Sequence, residues 1–252
     1  MIALENVHLT LSGREILRGV SLAVSPGDAL VILGESGSGK STILKVILGL
    51  WKPDAGRVSL DGEDIHALSG EELTRRRKAL AVVFQGGALF DSLTVGENVG
   101  YRLFEERVLG AGEIEARVRE GLSAVGMEEA IDLYPSELSG GMRKRAAFAR
   151  AVIGNPRIIL FDEPTAGLDP IASHLVNELI LRCRQSGKGT VVVTHDLECA
   201  HRVGERLMLI EGGQIVFEGN RQELESSNIP AVRSFLDPAE AAGTMQGVRS
   251  ET

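Results

Sequence analysis

The apolar positions along the chain follow two different patterns. Short, continuous apolar runs bounded by Gly, Pro or charged residues are typical of strands that are buried on both faces of a parallel sheet. Longer stretches carry apolar residues three or four positions apart, which indicates amphipathic helices. Strands are predicted at residues 29–33, 81–84, 157–161 and 190–194, and helices at residues 41–50, 113–125 and 142–153. This alternation predicts an α/β protein with a mostly parallel sheet.

The two patterns are unevenly distributed. Strand signals fade between Gly87 and Ile153, so an α-helical subdomain over residues 87–153 is predicted to be inserted in the α/β core. From Ser226 onward the residues become polar and small. Residues 1–225 are therefore assigned to one domain, and residues 226–252 to a C-terminal tail whose last residues are predicted to be disordered.

Length and cysteine content indicate the cellular compartment. The chain has 252 residues, enough for a sizeable core, and two cysteines, Cys183 and Cys199. No apolar stretch is long enough to span a bilayer, and residues 2–10 have the pattern of a strand rather than of a signal peptide. We therefore expect a cytoplasmic protein.

The charge balance argues against a nucleic-acid partner. With 27 Lys and Arg against 35 Asp and Glu, the formal net charge is −8, whereas binding to nucleic-acid phosphates needs clustered basic residues. The dense basic runs are residues 75–78 and 143–145. Both runs are interpreted as solvated helix faces, the usual setting of such sequences.

The first candidate site is the glycine-rich segment Gly-Glu-Ser-Gly-Ser-Gly-Lys-Ser at residues 34–41. It lies between a predicted strand and a predicted helix, as a phosphate-binding loop does; a flexible Gly/Ser linker is the alternative. Glycines let the backbone N–H groups face inward, and the helix start adds partial positive charge. Lys40 is predicted to contact the β- and γ-phosphates, and Ser41 to place its hydroxyl on Mg²⁺. The candidate nucleotide-binding residues here are Gly34, Glu35, Ser36, Gly37, Ser38, Gly39, Lys40, Ser41 and Thr42.

Two adjacent acids, Asp162 and Glu163, follow the apolar run at residues 157–161. Ligands of α/β proteins bind at the carboxyl ends of such strands, although two surface acids in a turn are the alternative. Neighbouring strand residues point to opposite sides, so Asp162 is assigned to the Mg²⁺ shell and Glu163 to the attacking water. Pro164 is expected to hold Glu163 extended. With Lys40, these acids would neutralise charge and align a nucleophile for phosphoryl transfer.

One histidine is distinguished by its position. His195 follows the predicted strand at residues 190–194, and parallel strands would place it at the same sheet edge as Glu163. It is therefore predicted to reach a γ-phosphate. The histidines at positions 8, 66, 174 and 201 follow no comparable strand and are assigned structural roles.

A second glycine-rich segment, Leu-Ser-Gly-Gly-Met, occupies residues 138–142. Ser139 is a favourable N-cap, and the helix that follows would direct its exposed N–H groups at an anion. Ser139, Gly140 and Gly141 are therefore candidate nucleotide ligands. Because neither glycine-rich segment makes a complete site alone, together they predict an ATP site that is shared between two chains.

The order of these elements carries a family resemblance. The elements are residues 34–41, Gln85, residues 138–142, Asp162 with Glu163, Gly-Leu-Asp at residues 167–169, and His195. In this order the chain resembles ATP-binding cassette (ABC) proteins, and in particular the nucleotide-binding subunit of an ABC transporter, over residues 1–225. The resemblance implies a P-loop NTPase core of the RecA-like type with an antiparallel β subdomain and an inserted α-helical subdomain.

The resemblance also implies roles and partners. Gln85 would join the metal site and link the γ-phosphate to the helical subdomain, Asp169 would lie beside the nucleotide at a dimer interface, and His195 would be the γ-phosphate switch. A homodimer would bind two ATP molecules head to tail, each between one chain's Lys40 loop and the other chain's Ser139 segment. An integral-membrane permease would hold the protein on the cytoplasmic face of the inner membrane.

The chain departs from the common family pattern at two positions. An aromatic residue that stacks on adenine usually lies near Leu11, but residues 7–14 contain none, so apolar contact from Leu11 is expected instead. The second glycine-rich segment usually ends in Gln, whereas this chain has Met142. Together with residues 86–95 and 231–237, Met142 makes the chain similar to the ATPases of Mla-associated and mammalian-cell-entry (MCE) associated lipid transporters.

This subfamily resemblance implies a function and a docking surface. ATP hydrolysis would energise the transport of phospholipids or other hydrophobic molecules, with an MCE-domain protein as the lipid conduit. The permease is expected to dock on the apolar patch formed by Ala88, Leu89, Phe90 and Leu93. For Leu89 and Leu93, burial in the core of the helical subdomain is the alternative.

Other function classes stay open at this point. An ABC transporter could carry another substrate, such as an amino acid, a peptide or a drug. A soluble ABC ATPase outside transport would need two cassettes, a coiled-coil insertion or basic patches. A regulator without turnover would lack Glu163, Lys40 or the glycines after Ser139, and all of these are present.

Overall fold

The computed structural model describes residues 1–237, and within them the strands form two sheets. The strands are β1 (Ile2–Leu11), β2 (Arg14–Val24), β3 (Ala29–Leu33), β4 (Ala55–Leu60), β5 (Glu63–Asp64), β6 (Leu80–Val83), β7 (Ile158–Asp162), β8 (Gly189–Thr194), β9 (Arg206–Glu211) and β10 (Gln214–Gly219). One sheet is antiparallel, in the order β2-β1-β4-β5; the other has the order β10-β9-β3-β8-β7-β6. In the larger sheet β10 is antiparallel to β9, and the other neighbouring pairs are parallel.

The α/β class and the mostly parallel sheet predicted from the sequence are confirmed. The predicted strands are β3, β6, β7 and β8, with bounds shifted by a residue at several ends. One shift matters for function, because β7 ends at Asp162 rather than at Phe161. Since β3, β8 and β7 are adjacent and parallel, their carboxyl ends meet at one edge of the sheet, where Leu33 pairs with Thr194 and Asp162 with Val193.

Helices cover both faces of the larger sheet. They are α1 (Lys40–Ile47), α2 (Gly70–Arg77), α3 (Val95–Glu106), α4 (Ala111–Ala124), α5 (Gly140–Val152), α6 (Pro170–Gln185), α7 (Leu197–Val203), α8 (Arg221–Ser226) and α9 (Pro230–Leu236). Between β6 and β7, α3, α4 and α5 pack against one another. A capping box starts α3, because Thr94 and Glu97 exchange hydrogen bonds between side chain and backbone. Within residues 1–237, these helices lack the combination of length and apolar character needed to cross a membrane.

The apolar interior is divided by the larger sheet. Along β3, Leu30 and Ile32 pack into the core shared with α1 and the antiparallel sheet, whereas Val31 and Leu33 pack into the core shared with the remaining helices. This division follows from the alternation of side chains along a strand. Burial on both faces explains why β3 consists of a continuous apolar run.

The C-terminal tail, which was predicted to start at Ser226, contains a packed helix, α9. Pro230 occupies the first turn of α9, where a missing N–H is tolerated. Val232 is fully buried, and Ala231 and Phe235 pack against the core. The predicted disorder of the last residues concerns positions 238–252, which lie outside the described residues.

Candidate functional site

The phosphate loop, residues 34–41, leaves β3 in a shape that depends on its glycines. A Cβ atom on Gly34 would lie 2.6 Å from the carbonyl oxygen of Ile210 and 2.6 Å from Oγ of Ser38, so a side chain cannot be accommodated there. Gly39 has a φ of 110°, a conformation that glycine adopts at low cost. Close backbone approach therefore fixes the loop, which argues against a flexible linker.

The loop has the features of an anion cradle. Among residues 1–237, no side chain caps the start of α1, so its first N–H groups are available and carry the positive end of the helix dipole. Within residues 1–237, the buried Oγ of Ser38 has no hydrogen-bond partner, and buried polar groups in proteins normally have one. Glu35, Ser36 and Gly37 are exposed. These features fit a polyphosphate that enters from solvent.

Lys40 is buried, but its ammonium remains at the loop. Nζ donates hydrogen bonds to the carbonyl oxygens of Gly34 (2.8 Å) and Glu35 (3.0 Å). It also lies 3.5 Å from Oε1 of Glu163. The ammonium is thus bound by two neutral carbonyl groups and lies near one carboxylate. Negatively charged phosphate oxygens could replace the carbonyl oxygens as its acceptors.

Ser41 and Asp162 meet across the carboxyl ends of β3 and β7. Oγ of Ser41 donates a 2.8 Å hydrogen bond to Oδ1 of Asp162. Burial raises the pKa of Asp162, and this hydrogen bond opposes the rise. The hydroxyl and the carboxylate are oxygen ligands of the kind that Mg²⁺ takes. Residues 1–237 contain no group of three or more His, Cys, Asp or Glu side chains placed to hold a metal.

Glu163 is not extended, so that prediction from the sequence is wrong. Its φ is 48°, in the left-handed region that non-glycine residues seldom adopt. Contacts from β8 hold it there against the preference that Pro164 imposes: the Glu163 N–H donates to the carbonyl oxygen of Val193 (2.9 Å), and Thr194 Oγ1 donates to the carboxylate (3.0 Å). The side chains of Asp162 and Glu163 therefore diverge because the backbone turns at Glu163, and not only because side chains alternate along a strand.

His195 lies beside Glu163 at the end of β8. Its Nδ1 atom is 3.0 Å from the Glu163 carboxylate, while 57% of its side chain is exposed. The structure therefore brings Lys40, Glu163 and His195 together, next to the Ser41 and Asp162 pair. A buried acid beside an exposed ring and a cation can orient a water and polarise it.

Sequence analysis missed Lys144, which the structure adds to this cluster. Lys144 is 7% exposed, and its Nζ donates to the carbonyl oxygens of Glu163, Pro164 and Ala166. Burial lowers the pKa of Lys144, and the charge of Glu163 opposes that change. The sequence did contain a signal: Lys144 lies four residues before the apolar Phe148 in α5, and residues at that spacing share a helix face.

The expectation that both basic runs are solvated helix faces is therefore wrong for several members. Arg75 and Lys78 are exposed. Other members donate hydrogen bonds from their guanidinium groups to backbone carbonyl oxygens. Arg77 donates to Leu48 and Gly49, Arg143 to Leu138, and Arg145 to Val125 and Gly126. Arginine and lysine stems can lie along a core while their heads satisfy carbonyl groups, and a count of charges along the sequence does not reveal this.

Within residues 1–237, two predicted site residues form no hydrogen bond with the cluster. Gln85 is exposed just beyond β6, and within residues 1–237 its side chain makes no hydrogen bond. Leu11 ends β1, opposite Arg14, and is half-buried against the core next to the antiparallel sheet. Among the described residues, neither side chain forms a hydrogen bond with the acids, so their assigned roles stay predictions.

The second glycine-rich segment forms a different surface. Ser139 caps α5 by accepting a hydrogen bond from the Met142 N–H (3.2 Å), and Asp169 caps α6. Ser139, Gly140, Gly141 and Asp169 line one cavity of about 330 Å³. The phosphate loop lines another cavity, which it shares with α9. Each chain thus presents the two glycine-rich segments on separate cavities.

Comparison with known proteins agrees with this geometry. The family described as ABC transporter matches residues 17–166. The chain is 40% identical over 238 residues to MlaF of Escherichia coli (strain K12), an intermembrane phospholipid transport system ATP-binding protein, covering 94% of this chain and 88% of that protein. It is 39% identical over 265 residues to the chloroplastic protein TRIGALACTOSYLDIACYLGLYCEROL 3 of Arabidopsis thaliana, with 98% and 75% covered.

A third relative is named for a different substrate. A solved structure is also similar to this chain. The chain is 37% identical over 237 residues to the probable ribonucleotide transport ATP-binding protein mkl of Mycobacterium tuberculosis (strain ATCC 25618 / H37Rv), covering 94% of this chain and 66% of that protein. It is also similar to an ATP-binding cassette solved as a dimer in a post-hydrolysis state with ADP and Pi. That likeness has a TM-score of 0.81 at 36% identity, and it covers 87% of this chain and 98% of the other.

Proposed function

Since the chain belongs to the ABC transporter family as an ATP-hydrolysing, ATP-binding subunit, we propose that it energises the movement of phospholipids or other hydrophobic molecules between membranes. The observation that carries the proposal is the likeness to MlaF at 40% identity over 94% of the chain. That relative is named as part of an intermembrane phospholipid transport system. The name of the mycobacterial relative states ribonucleotide transport, so a transporter for another substrate is the second candidate.

The local geometry supports a division of roles at the nucleotide. The phosphate loop and Lys40 would bind the phosphates of ATP, and Ser41 with Asp162 would hold Mg²⁺, whose charge would offset the negative charge that develops on the phosphates. Glu163 accepts a proton from the attacking water or orients it, and His195 senses the γ-phosphate beside that acid. Gln85 would complete the metal site after a movement of its loop.

A complete site needs a second chain. Ser139, Gly140, Gly141 and Asp169 line a cavity that contains no residue of the phosphate loop. In a head-to-tail homodimer, the cavity of one chain would face the phosphate loop of the other, so that two ATP molecules lie at the interface. The dimeric cassette with ADP and Pi supports this arrangement by analogy. Leu11 would contact the adenine through its apolar side chain.

The permease would dock beside the loop after β6. Phe90 is 45% exposed, and its ring lies 4.8 Å from the ring of Tyr101, which is 41% exposed. Leu89 is half-buried against the core, so Phe90 offers more of the apolar surface than Leu89 does. Docking there would place the chain on the cytoplasmic face of the inner membrane, with an MCE-domain protein as a further partner of the permease.

Co-purification from native membranes tests this function. The tagged full-length chain, extracted with its partners in mild detergent, should bring down a permease and an MCE-domain protein, together with bound phospholipid. Lys40→Ala is the matched control, because it should lose ATPase activity but keep the docking surface. Phe90→Asp should bind ATP but lose the permease. Recovery of an amino-acid, peptide or nucleotide permease would overturn the lipid assignment.

A further inference from the structure

Within residues 1–237, Lys144 forms its hydrogen bonds with backbone carbonyl groups beside Glu163 and not with the side chains assigned to ATP or Mg²⁺. It lies in α5, four residues after Gly140, and is 7% exposed. Its Nζ donates hydrogen bonds to the carbonyl oxygens of Glu163 (3.0 Å), Pro164 (2.8 Å) and Ala166 (2.8 Å). An ammonium group has three N–H donors, so its full capacity is used on the backbone next to the hydrolytic acid.

The backbone that Lys144 holds has an unusual conformation. Glu163 has a φ of 48°, and a non-glycine residue stays in such a conformation only where its surroundings determine it strongly. On one side, the Glu163 N–H is fixed by the carbonyl oxygen of Val193 at 2.9 Å. On the other side, the Glu163 carbonyl oxygen accepts hydrogen bonds from Lys144 Nζ (3.0 Å) and from the Ala166 N–H (3.2 Å). These contacts hold the peptide groups before and after the acid.

We propose that Lys144 is a positioning residue for ATP hydrolysis, which sets the direction of the Glu163 carboxylate by binding the carbonyl oxygens of Glu163, Pro164 and Ala166. The inference rests on the ATPase assignment and on the role given to Glu163. Without the ammonium, the carbonyl oxygens of Pro164 and Ala166 would lose this donor, and the Glu163 carbonyl oxygen would keep only the Ala166 N–H at 3.2 Å. Glu163 could then relax toward the extended form that Pro164 favours. The carboxylate would then be displaced from the water that it has to align.

The same contacts connect the two halves of the composite site within one chain. The first turn of α5 contains Gly140 and Gly141, which face the nucleotide of the second chain. Beyond Ala166, the backbone continues to Asp169, which lines the cavity of that first turn. Lys144 thus joins the helix that meets one ATP molecule to the acid that acts on the other.

The test compares three full-length variants, Lys144→Met, Lys144→Gln and Lys188→Met. Met keeps an unbranched stem but removes the donors, whereas Gln retains two N–H donors. Lys188 is the matched control: its Nζ also donates to a loop, at Asn155 (2.6 Å) and Pro156 (3.0 Å). That loop precedes β7 and lies at the opposite end of the sheet from Glu163.

The expected result is a separation of kcat from KM. For Lys144→Met, kcat for ATP should fall by about 10²-fold, the effect expected of a small displacement of a catalytic group. Lys144→Gln should recover part of that loss, and Lys188→Met should match the wild type. KM, the Kd for ATP and the circular dichroism spectrum should stay unchanged in all three variants, because the phosphate loop is intact. A purely structural role would instead lower the folded fraction and change KM and kcat together.

A fourth variant keeps the proposal testable if Lys144→Met does not fold. Lys144→Arg retains the charge but shifts the donors, so it should fold, bind ATP like the wild type and show a reduced kcat. Wild-type kcat in a folded Lys144→Met or Lys144→Arg protein would overturn the inference, as would a raised KM with an unchanged kcat. Failure of the proposed function would be seen in a different protein, the wild-type chain. That chain would then co-purify with another permease or show no ATP turnover.

Discussion

Nδ1 of His195 lies 3.0 Å from the carboxylate of Glu163, and the same carboxylate lies 3.5 Å from Nζ of Lys40. These residues come from three distant segments, and they converge because β3, β8 and β7 are adjacent parallel strands. The acid thus stands between a cation of the phosphate loop and an exposed imidazole. ATP binding and ATP hydrolysis should therefore respond differently to substitutions on the two sides of Glu163.

Glu163→Gln should separate nucleotide binding from hydrolysis. The amide keeps the size of the side chain but cannot accept a proton from water, so kcat should fall by at least about 10²-fold. ATP should remain bound and hold two chains together. Size-exclusion chromatography with ATP and Mg²⁺ should show a dimer for this variant and none for Lys40→Ala. Detection of monomers alone for Glu163→Gln would contradict the shared-site arrangement.

His195→Ala should lower kcat while ATP binding is retained. Removal of the ring takes away a group that holds the Glu163 carboxylate and faces the expected γ-phosphate, and groups of this kind contribute about 10²-fold or more to the rate. Steady-state ATPase assays and ATP titrations measure the two effects separately. The matched control is His174→Ala, an exposed histidine on α6, which should behave like the wild type. Equal kcat values for the two variants would remove His195 from the mechanism.

The sequence predicted those site residues whose position follows from the order of strands and loops along the chain. Ser41, Asp162 and His195 each follow a predicted strand, and parallel strands necessarily bring their ends together. The φ of Glu163 was not predictable, because hydrogen bonds from β8 override the local preference set by Pro164. Lys144 was missed for a similar reason, since its acceptors lie in another segment and its charge suggested a solvated face.

Asn98→Ala should destabilise the loop that carries Phe90. Asn98 is fully buried; its Oδ1 accepts from the Phe90 N–H (2.7 Å), and the two N–H groups of its Nδ2 are shared among the carbonyl oxygens of Phe90 (3.0 Å), Leu93 (3.1 Å) and Thr94 (3.0 Å). Leaving these groups unpaired should cost about 2 kcal/mol, which lowers Tm by about 4–8 °C for a domain of this size.

Thermal melting of Asn98→Ala measures that loss, and Asp91→Ala, an exposed substitution in the same loop, is its control. Because the loop also presents Phe90, recovery of the permease in pull-downs should weaken for Asn98→Ala, whereas the Kd for ATP should not change. An unchanged Tm would show that the four hydrogen bonds do not determine the loop conformation.

The two cysteines should give the protein a specific sensitivity to alkaline pH. Burial raises the pKa of Cys183 from 9.0 to about 11 and the pKa of Cys199 to about 12. In the unfolded chain the thiols ionise near their ordinary pKa, whereas the folded protein keeps their protons. Their contribution to folding is therefore undiminished below pH 9 and is lost as the pH rises from there toward 11 and 12. Each thiol should reduce the free energy of unfolding by at most about 1.4 kcal/mol per pH unit in that window.

Urea titrations from pH 8 to pH 11 should show a steeper loss for the wild type than for the Cys183→Ala/Cys199→Ala double variant, in which all other titrating groups are the same. Parallel slopes for the two proteins would mean that the thiols ionise without unfolding.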